Sequence, residues 1–191
     1  HAASTVIDAG ATLKFTDVAG TNVVPVTGAI TNAGSTGSLD IGDNVVTASL
    51  ASTLTGASTF TVTIGTNNGK LVATAAGITL HNDVKVKPII AGRITSGAAI
   101  TIAQSANSST IVIPDTANIV ESYARYTFAL AACTDTDDLC LTPTLVVPAG
   151  LSTAGAAVSA VADVAFAADS VMNDAIQGLS GAALDKALVT L

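Results

Sequence analysis

Thr59-Phe60-Thr61-Val62-Thr63-Ile64, followed by Gly65-Thr66-Asn67-Asn68-Gly69, is the stretch on which the reading of this chain turns. Polar and apolar residues alternate through the first six, placing Phe60, Val62 and Ile64 on one buried face of a strand and the threonines on the other. The five residues that follow tolerate positive φ and suit a tight turn before the strand pattern resumes over 70–75. Residues 64–71 therefore read as hairpin-like, of the kind that also serves as an antiparallel cap on a stack of strands.

The same texture runs from Thr5 to about Pro143. Short apolar, Thr-rich runs at 38–41, 44–50, 77–80, 84–86, 89–95, 99–102, 110–113 and 123–131 are cut by Gly, Asn and Asp. A spacing of roughly eight to twelve residues permits an all-β sandwich or a solenoid. Ile30-Thr31, Ile78-Thr79, Ile94-Thr95 and Ile100-Thr101 repeat an apolar residue followed by Thr, as stacked coils do. The prediction is a mainly β fold: a right-handed parallel β-helix or β-solenoid with a capping segment and a C-terminal α-helical hairpin. No single period aligns the runs, so a β-sandwich with Greek-key connections plus helices is the alternative.

Composition limits the function classes. Hydrophobic residues make up 49% of the 191, yet aromatics are 3% and Trp is absent, so the core must be Val, Ile, Leu and Ala. Charged residues are 11%, against about 25% in an average globular protein, which leaves Thr, Ser and Asn to make the surface. That composition is commoner in secreted and cell-surface proteins than in cytosolic enzymes. The formal net charge is -7, and the seven Lys and Arg are scattered without a basic cluster, which argues against nucleic acid. No basic and then apolar leader follows His1, and the lack of an initiating Met fits a processed or excised piece. The most membrane-like stretch, 146–168, carries Pro148 and Asp163 and is too weakly apolar for a spanning helix.

Cys133 and Cys140 are the two cysteines, with six residues between them. A local disulfide is expected, worth roughly 2 to 3 kcal/mol in the chain-entropy account; the alternative is two reduced thiols. Neither histidine lies nearby in sequence, so a metal site is not expected there. Asp135, Asp137 and Asp138 in the intervening loop read as a solvated acidic turn, with Ca²⁺ binding left open. The loop lacks the Gly at position six and the distal Glu of the helix-loop-helix calcium signature.

Nothing points to catalysis. His81 is the one internal histidine and sits in the turn-like Leu80-His81-Asn82-Asp83; Glu121 is the sole glutamate. Neither a Gly-x-Ser-x-Gly elbow nor a phosphate-binding loop is present. The chain is read as non-enzymatic, without cofactor or metal.

Near Leu151 the texture changes to an Ala-rich, proline-free stretch. Ser152 or Thr153 is the expected N-cap, and Val158, Val161, Ala165, Val171, Met172 and Ile176 fall near helical spacing on a common side. Gly178 would end this helix and Ser180 cap a second, in which Leu184 and Leu188 face together while Asp185 and Lys186 point elsewhere. The division expected is a β-rich solenoid-like domain over 1–150 and an α-helical linker or appendage over 151–191.

The patch Ala167-Ala168-Asp169-Ser170-Val171-Met172-Asn173-Asp174-Ala175-Ile176-Gln177-Gly178-Leu179-Ser180-Gly181-Ala182-Ala183-Leu184-Asp185-Lys186-Ala187-Leu188 resembles the segment that precedes the translocator barrel in type V bacterial autotransporters. The order of parts is similar too: Thr- and Gly-rich solenoid, closely spaced cysteines, helix. The resemblance implies a non-enzymatic cell-surface module, the membrane-proximal part of a passenger that supports export, folding and display of an adhesin-like region. It implies a place at the bacterial surface or in the secreted fraction, outer-membrane associated, with the chain's own translocator barrel as partner and a host or surface receptor unidentified. Low charge, abundant Thr and a terminal helix also suit a self-associating subunit of an envelope fibre or pilus, joined through sheet edges.

Overall fold

The computed structural model describes residues 4–16, 22–34, 36–75, 77–106, 111, 113–114, 118–120, 123–165, 175–176 and 178–190, with side chains described for all of these except 162–165. The chain passes through three sheets in rotation, four times over. The first coil is β1 (Ser4–Ile7), β2 (Thr12–Lys14) and β3 (Val23–Val26); the second is β4 (Ala29–Asn32), β5 (Ser38–Asp40) and β6 (Val45–Ala48). The third is β7 (Ser52–Leu54), β8 (Thr59–Gly65) and β9 (Lys70–Ala73), and the fourth is β10 (Ile78–Leu80), β11 (Lys85–Ala91) and β12 (Ile100–Gln104). Sheet A is β1-β4-β7-β10, sheet B is β2-β5-β8-β11, and β3, β6, β9 and β12 lie together in sheet C. Each of these strands pairs in parallel with the strand one coil away rather than with its neighbour in sequence, so the fold is a β-solenoid and not a sandwich.

Stacking in register turns the alternation of each short strand into continuous columns. Leu13, Leu39, Phe60 and Val86 lie one above another in sheet B, and Ile119 extends the column through a bridge to Val86. Phe60, Val62 and Ile64 are fully buried, as the alternation predicts. Each such side chain contributes about 1.5–3 kcal/mol on complete burial. Strands of three or four residues could not hold alone; the column makes them one core.

Polar side chains inside the coil satisfy the backbone where strands begin or turn. Ser52 Oγ accepts the Ile30 amide at 3.1 Å, and Ser105 Oγ accepts the Ile78 amide at 2.9 Å. Asn32 makes a two-sided bridge to the coil above, with Oδ1 accepting from Thr55 N and Nδ2 donating to Thr55 O, both at 2.9 Å. Two strand prolines, Pro25 in β3 and Pro88 in β11, are on edge strands, where proline is ordinarily confined; Pro143 lies in β14, between β13 and β12.

The segment 64–71 is not a hairpin. β8 belongs to sheet B and β9 to sheet C, so 66–69 is a corner of the coil. The turn residues are nonetheless required. Gly65 has φ +147°, and a Cβ there would collide with the Ala91 carbonyl one coil away; a Cβ on Gly69 would collide with the Gly42 carbonyl. Runs 84–86 and 89–95 are likewise not two strands: β11 passes straight through Pro88 and ends at Ala91, leaving Ile94 buried in the connection to β12. Of 110–113, residues 110 and 112 lie outside the described residues, and Ile111 is buried.

The antiparallel cap comes later in the chain. β13 (Tyr126–Ala132) and β14 (Asp138–Leu145) form a hairpin, and β14 adds antiparallel to β12 at the edge of sheet C. Tyr126, Phe128 and Leu130 of β13 and Leu139 and Leu141 of β14 close the solenoid core. Tyr123 ties the hairpin to the last coil: its hydroxyl accepts the Ile90 amide and donates to Pro88 O, while its ring meets Phe128 edge-on.

Beyond the cap lie α1 (Thr153–Ala165) and α2 (Gly181–Val189). Ser152 is the N-cap of α1, its Oγ accepting the Gly155 amide at 3.1 Å. Ser180 stands at the N-cap of α2 but makes no side-chain capping bond. Leu184 and Leu188 are buried together with Ile176 in a second cluster, against Val158, Leu151, Leu179 and Ala124. Val161 does not share that face: it is 56% exposed, and Gly155 and Ser159 are buried instead. Asp185 does not point away either; its Oδ1 accepts from Ser152 N and Oγ. Val171 and Met172, with the rest of 166–174, lie outside the described residues. No helix among the described residues is long and apolar enough to cross a membrane.

Candidate functional site

The capped end of sheet C gathers the residues singled out for chemistry. Cys133 follows β13 and Cys140 lies in β14, and their sulfurs stand at disulfide distance, with Cα atoms 5.1 Å apart. The Cys133 amide donates to Asp138 O at 2.9 Å, which closes the hairpin end. Thr101 Oγ1 of β12 lies against both sulfurs, at 3.6 and 3.8 Å, so the pair is clamped between the cap and the last coil.

The three aspartates of the intervening loop take different roles. Asp135 folds its carboxylate back to accept the Asp137 amide, and its carbonyl accepts the Asp138 amide. Asp138 opens β14, opposite Gln104 of β12, and is 7% exposed. Its carboxyl is held above the ordinary carboxylate range, first by burial and then by Asp135 and Asp137, against the opposing pull of Lys70 and the Ser105 amide. Lys70 donates to Gln104 Oε1 at 2.9 Å, which sets a Lys70, Gln104, Asp138 line across the outer face of sheet C. Among the described residues no three His, Cys, Asp or Glu side chains group to hold a metal ion.

A cleft of about 530 Å³ opens beside this line, where sheets B and C meet. Val45 and Ile100 form its apolar floor, and Asn22, Asp43, Asn67, Asn68, Lys70 and Thr101 supply polar groups. The stacked corners build it: 41–44 of the second coil lie beside 66–69 of the third. Donors and acceptors are mixed there, without a nucleophile beside a base. His81 and Asp83 are elsewhere, exposed in the turn between β10 and β11. Glu121 lies outside the described residues.

Two features escape a linear reading. Arg125 is 1% exposed, and its guanidinium donates to Ser159 Oγ at 3.4 Å and Ser159 O at 3.0 Å, joining cap to α1. Three of the five lysines also gather: Lys14, Lys85 and Lys87 lie in sheet B. Lys85 and Lys87, with Thr12, Ser38, Asp40, Thr59, Thr61 and Val120, line a second cleft of about 490 Å³. They are 71 or more residues from Lys14 in sequence, and only the winding of the coil brings them to one face.

No protein-family model, curated protein or solved structure matches this chain.

Proposed function

We propose that this chain is a non-enzymatic cell-surface module, the membrane-proximal part of an autotransporter passenger, in which the capped end of the solenoid serves as a folding nucleus. The observation that carries the reading is the polarity of the stack. The N-terminal coil is the open end, with β1 and β2 largely exposed, and the other end is closed by the cap, in which β14 is largely buried. The capped end holds the hairpin, the cysteine pair and the buried Arg125 contact to the helices. A module that is drawn outward without a chemical energy source gains direction if its last coils fold first and each further coil buries the face of the one before. The helical pair has its own small core, which suits a connector between solenoid and barrel. The cysteine loop is short enough to add little width in transit.

The test is surface display of the complete reading frame in a Gram-negative host, read by protease shaving. The expected result is display that is lost when 123–145 is deleted. A reading frame with no barrel-forming sequence after Leu191 would overturn the assignment.

A second reading, a self-assembling fibre subunit, is favoured by the outer edges of β1, β2 and β3, which pair with no further strand among the described residues. Val6 and Val23 on that end are each 52% exposed. Unpaired edges of this kind are templates for strand addition. Regular filaments of the purified chain under the electron microscope would support it, and persistent monomers would exclude it.

A further inference from the structure

Sheet B is the one sheet whose strands carry a net charge. β2, β5, β8 and β11 hold Lys14, Lys85 and Lys87 against Asp40, a formal +2, whereas the strands of sheet A carry no charged residue and those of sheet C carry Lys70 and Asp138, which cancel. This stands in a chain of net charge -7. Register places the charges and hydroxyls in two outward columns: Thr12, Ser38, Thr59 and Lys85 in one, Lys14, Asp40, Thr61 and Lys87 in the other. The inward residues between them are the buried Leu39, Phe60 and Val86, with Leu13 packed on the same core, so the outward direction of the columns follows from the pleat.

The single carboxylate on the four strands of this face is already engaged. Asp40 Oδ2 pairs with Lys14 at 3.1 Å, and Oδ1 accepts the Gly42 amide at 3.0 Å. Lys85 is exposed, and no ion pair to it is made among the described residues. With adjacent strands about 4.8 Å apart, the four strands present hydroxyls and lysines over about 14 Å along the solenoid axis. At physiological salt the Debye length is about 8 Å, so a ligand on this face is attracted by the local lysines more than it is repelled by the acidic remainder.

The geometry points to sheet B as the binding face for a linear anionic polysaccharide, its carboxylates or sulfates on Lys85, Lys87 and Lys14 and its hydroxyls on Thr12, Ser38 and Thr59. The shape selects an extended polymer over a compact anion. The cleft is a shallow trough across four strands, lined by side chains spaced along them. Nucleic acid fits less well, because no aromatic ring lies on these strands' outward columns to stack on bases. The inference stands whether or not the chain is part of an exported passenger.

The test is calorimetric titration of the full chain with a linear oligo-uronate and with a heparin-derived oligosaccharide of equal length, with uncharged dextran and a single-stranded oligonucleotide as comparisons. Expected are saturable binding of at least one anionic glycan at about 50 mM salt, weakening toward about 200 mM, and no dextran binding. Lys85→Gln/Lys87→Gln should lose about tenfold in affinity, the sum of one exposed and one half-buried ion contact, and Lys85→Glu, at an exposed position with no fold contact at stake, should lose at least as much. Lys186→Gln on α2 should bind as the parent does. No glycan binding at low salt, undiminished binding by Lys85→Glu, or equal binding of the oligonucleotide would overturn the proposal.

Discussion

Asp185 of α2 and Ser152 at the start of α1 are joined by two hydrogen bonds to one oxygen: Asp185 Oδ1 accepts the Ser152 amide at 2.9 Å and the Ser152 hydroxyl at 2.8 Å. Ser152 Oγ in turn accepts the Gly155 amide, so the carboxylate sits at the positive end of α1 and holds its capping residue in place. The two helices are thereby pinned at one end, while Leu184 and Leu188 pack them along their length.

A double-mutant cycle on this pair should show coupling. Ser152→Ala and Asp185→Ala should each destabilise the helical pair by about 1 kcal/mol, and the double variant should lose less than the sum. Thermal melts followed by the helical circular dichroism signal measure it. Gly155→Ala belongs to the same network: Ala is ordinarily better than Gly in a helix by about 1 kcal/mol, but here the added methyl meets the Asp185 carboxylate. It should fail to stabilise, and the two effects should not add. Full additivity would show that the contact carries no weight.

Gly69→Ala should be among the most damaging single changes in the solenoid. Its Cβ would meet the backbone carbonyl of Gly42 in the coil below, which cannot rotate away as a side chain can. The expected loss is about 2–4 kcal/mol in urea unfolding. Gly97→Ala makes the comparison, because a Cβ there meets nothing within 4 Å and the cost reduces to its φ of +78°.

Under non-reducing conditions the mass of the chain should be lower by two hydrogens than after reduction, with no thiol open to alkylation. Cys133→Ser/Cys140→Ser should cost about 2–3 kcal/mol, as a short closed loop would. Hydrogen exchange should locate the loss in β13 and β14. Two freely alkylated thiols in native secreted material would contradict the pairing.

Asp138 makes stability depend on pH in the sense opposite to a salt-bridged carboxylate. Its folded-state pKa is raised above the ordinary value of 3.8, so in the interval between the two the folded chain binds more protons than the unfolded one. Stability contributed by this group is therefore present below 3.8 and lost as pH rises through the folded value. Asp138→Asn, which keeps the shape and removes the charge, should flatten that part of the profile and leave the protein at least as stable at neutral pH. Urea titrations across the acid range read this directly; a variant less stable than the parent at neutral pH would show that the attraction of Lys70 outweighs burial.

Deleting 151–191 should leave a folded β module. The helical cluster and the solenoid core are separate, and the truncation removes the Ser159 partner of Arg125 while admitting water to its guanidinium. Circular dichroism should retain a cooperative β transition. Its loss would make the helices part of the domain core and weaken their reading as a connector.

Alternation over 59–64 was sufficient to place Phe60, Val62 and Ile64 inside, and the four-residue spacing of Leu184 and Leu188 was sufficient to bury both. Both patterns are local: the period of a strand or helix sets which side chains share a face, whatever lies opposite. The turn at 65–69 was legible as a turn for the same reason, but not as a corner. Gly and Asn serve a hairpin and a solenoid corner alike, and the choice depends on whether β9 pairs with β8 or with β6, a question about strands far apart in the chain. The acidic run hid the start of β14, because an aspartate at a strand's first residue looks like the turn before it.

Helix amphipathicity had the same limit. Val158 and Val161 are close on the wheel, and composition alone favours both as core; Val161 is exposed because Arg125 comes to Ser159 and Asp185 comes to Gly155, two approaches from other parts of the fold. The lysines of sheet B complete the contrast. Residue types, periods and turn chemistry are properties of neighbours along the chain, so they can be read from it. That Lys14 and Lys87 share one column is a property of register, set by how many residues each corner takes up, and it arises only when the coils stack and bury their columns against one another.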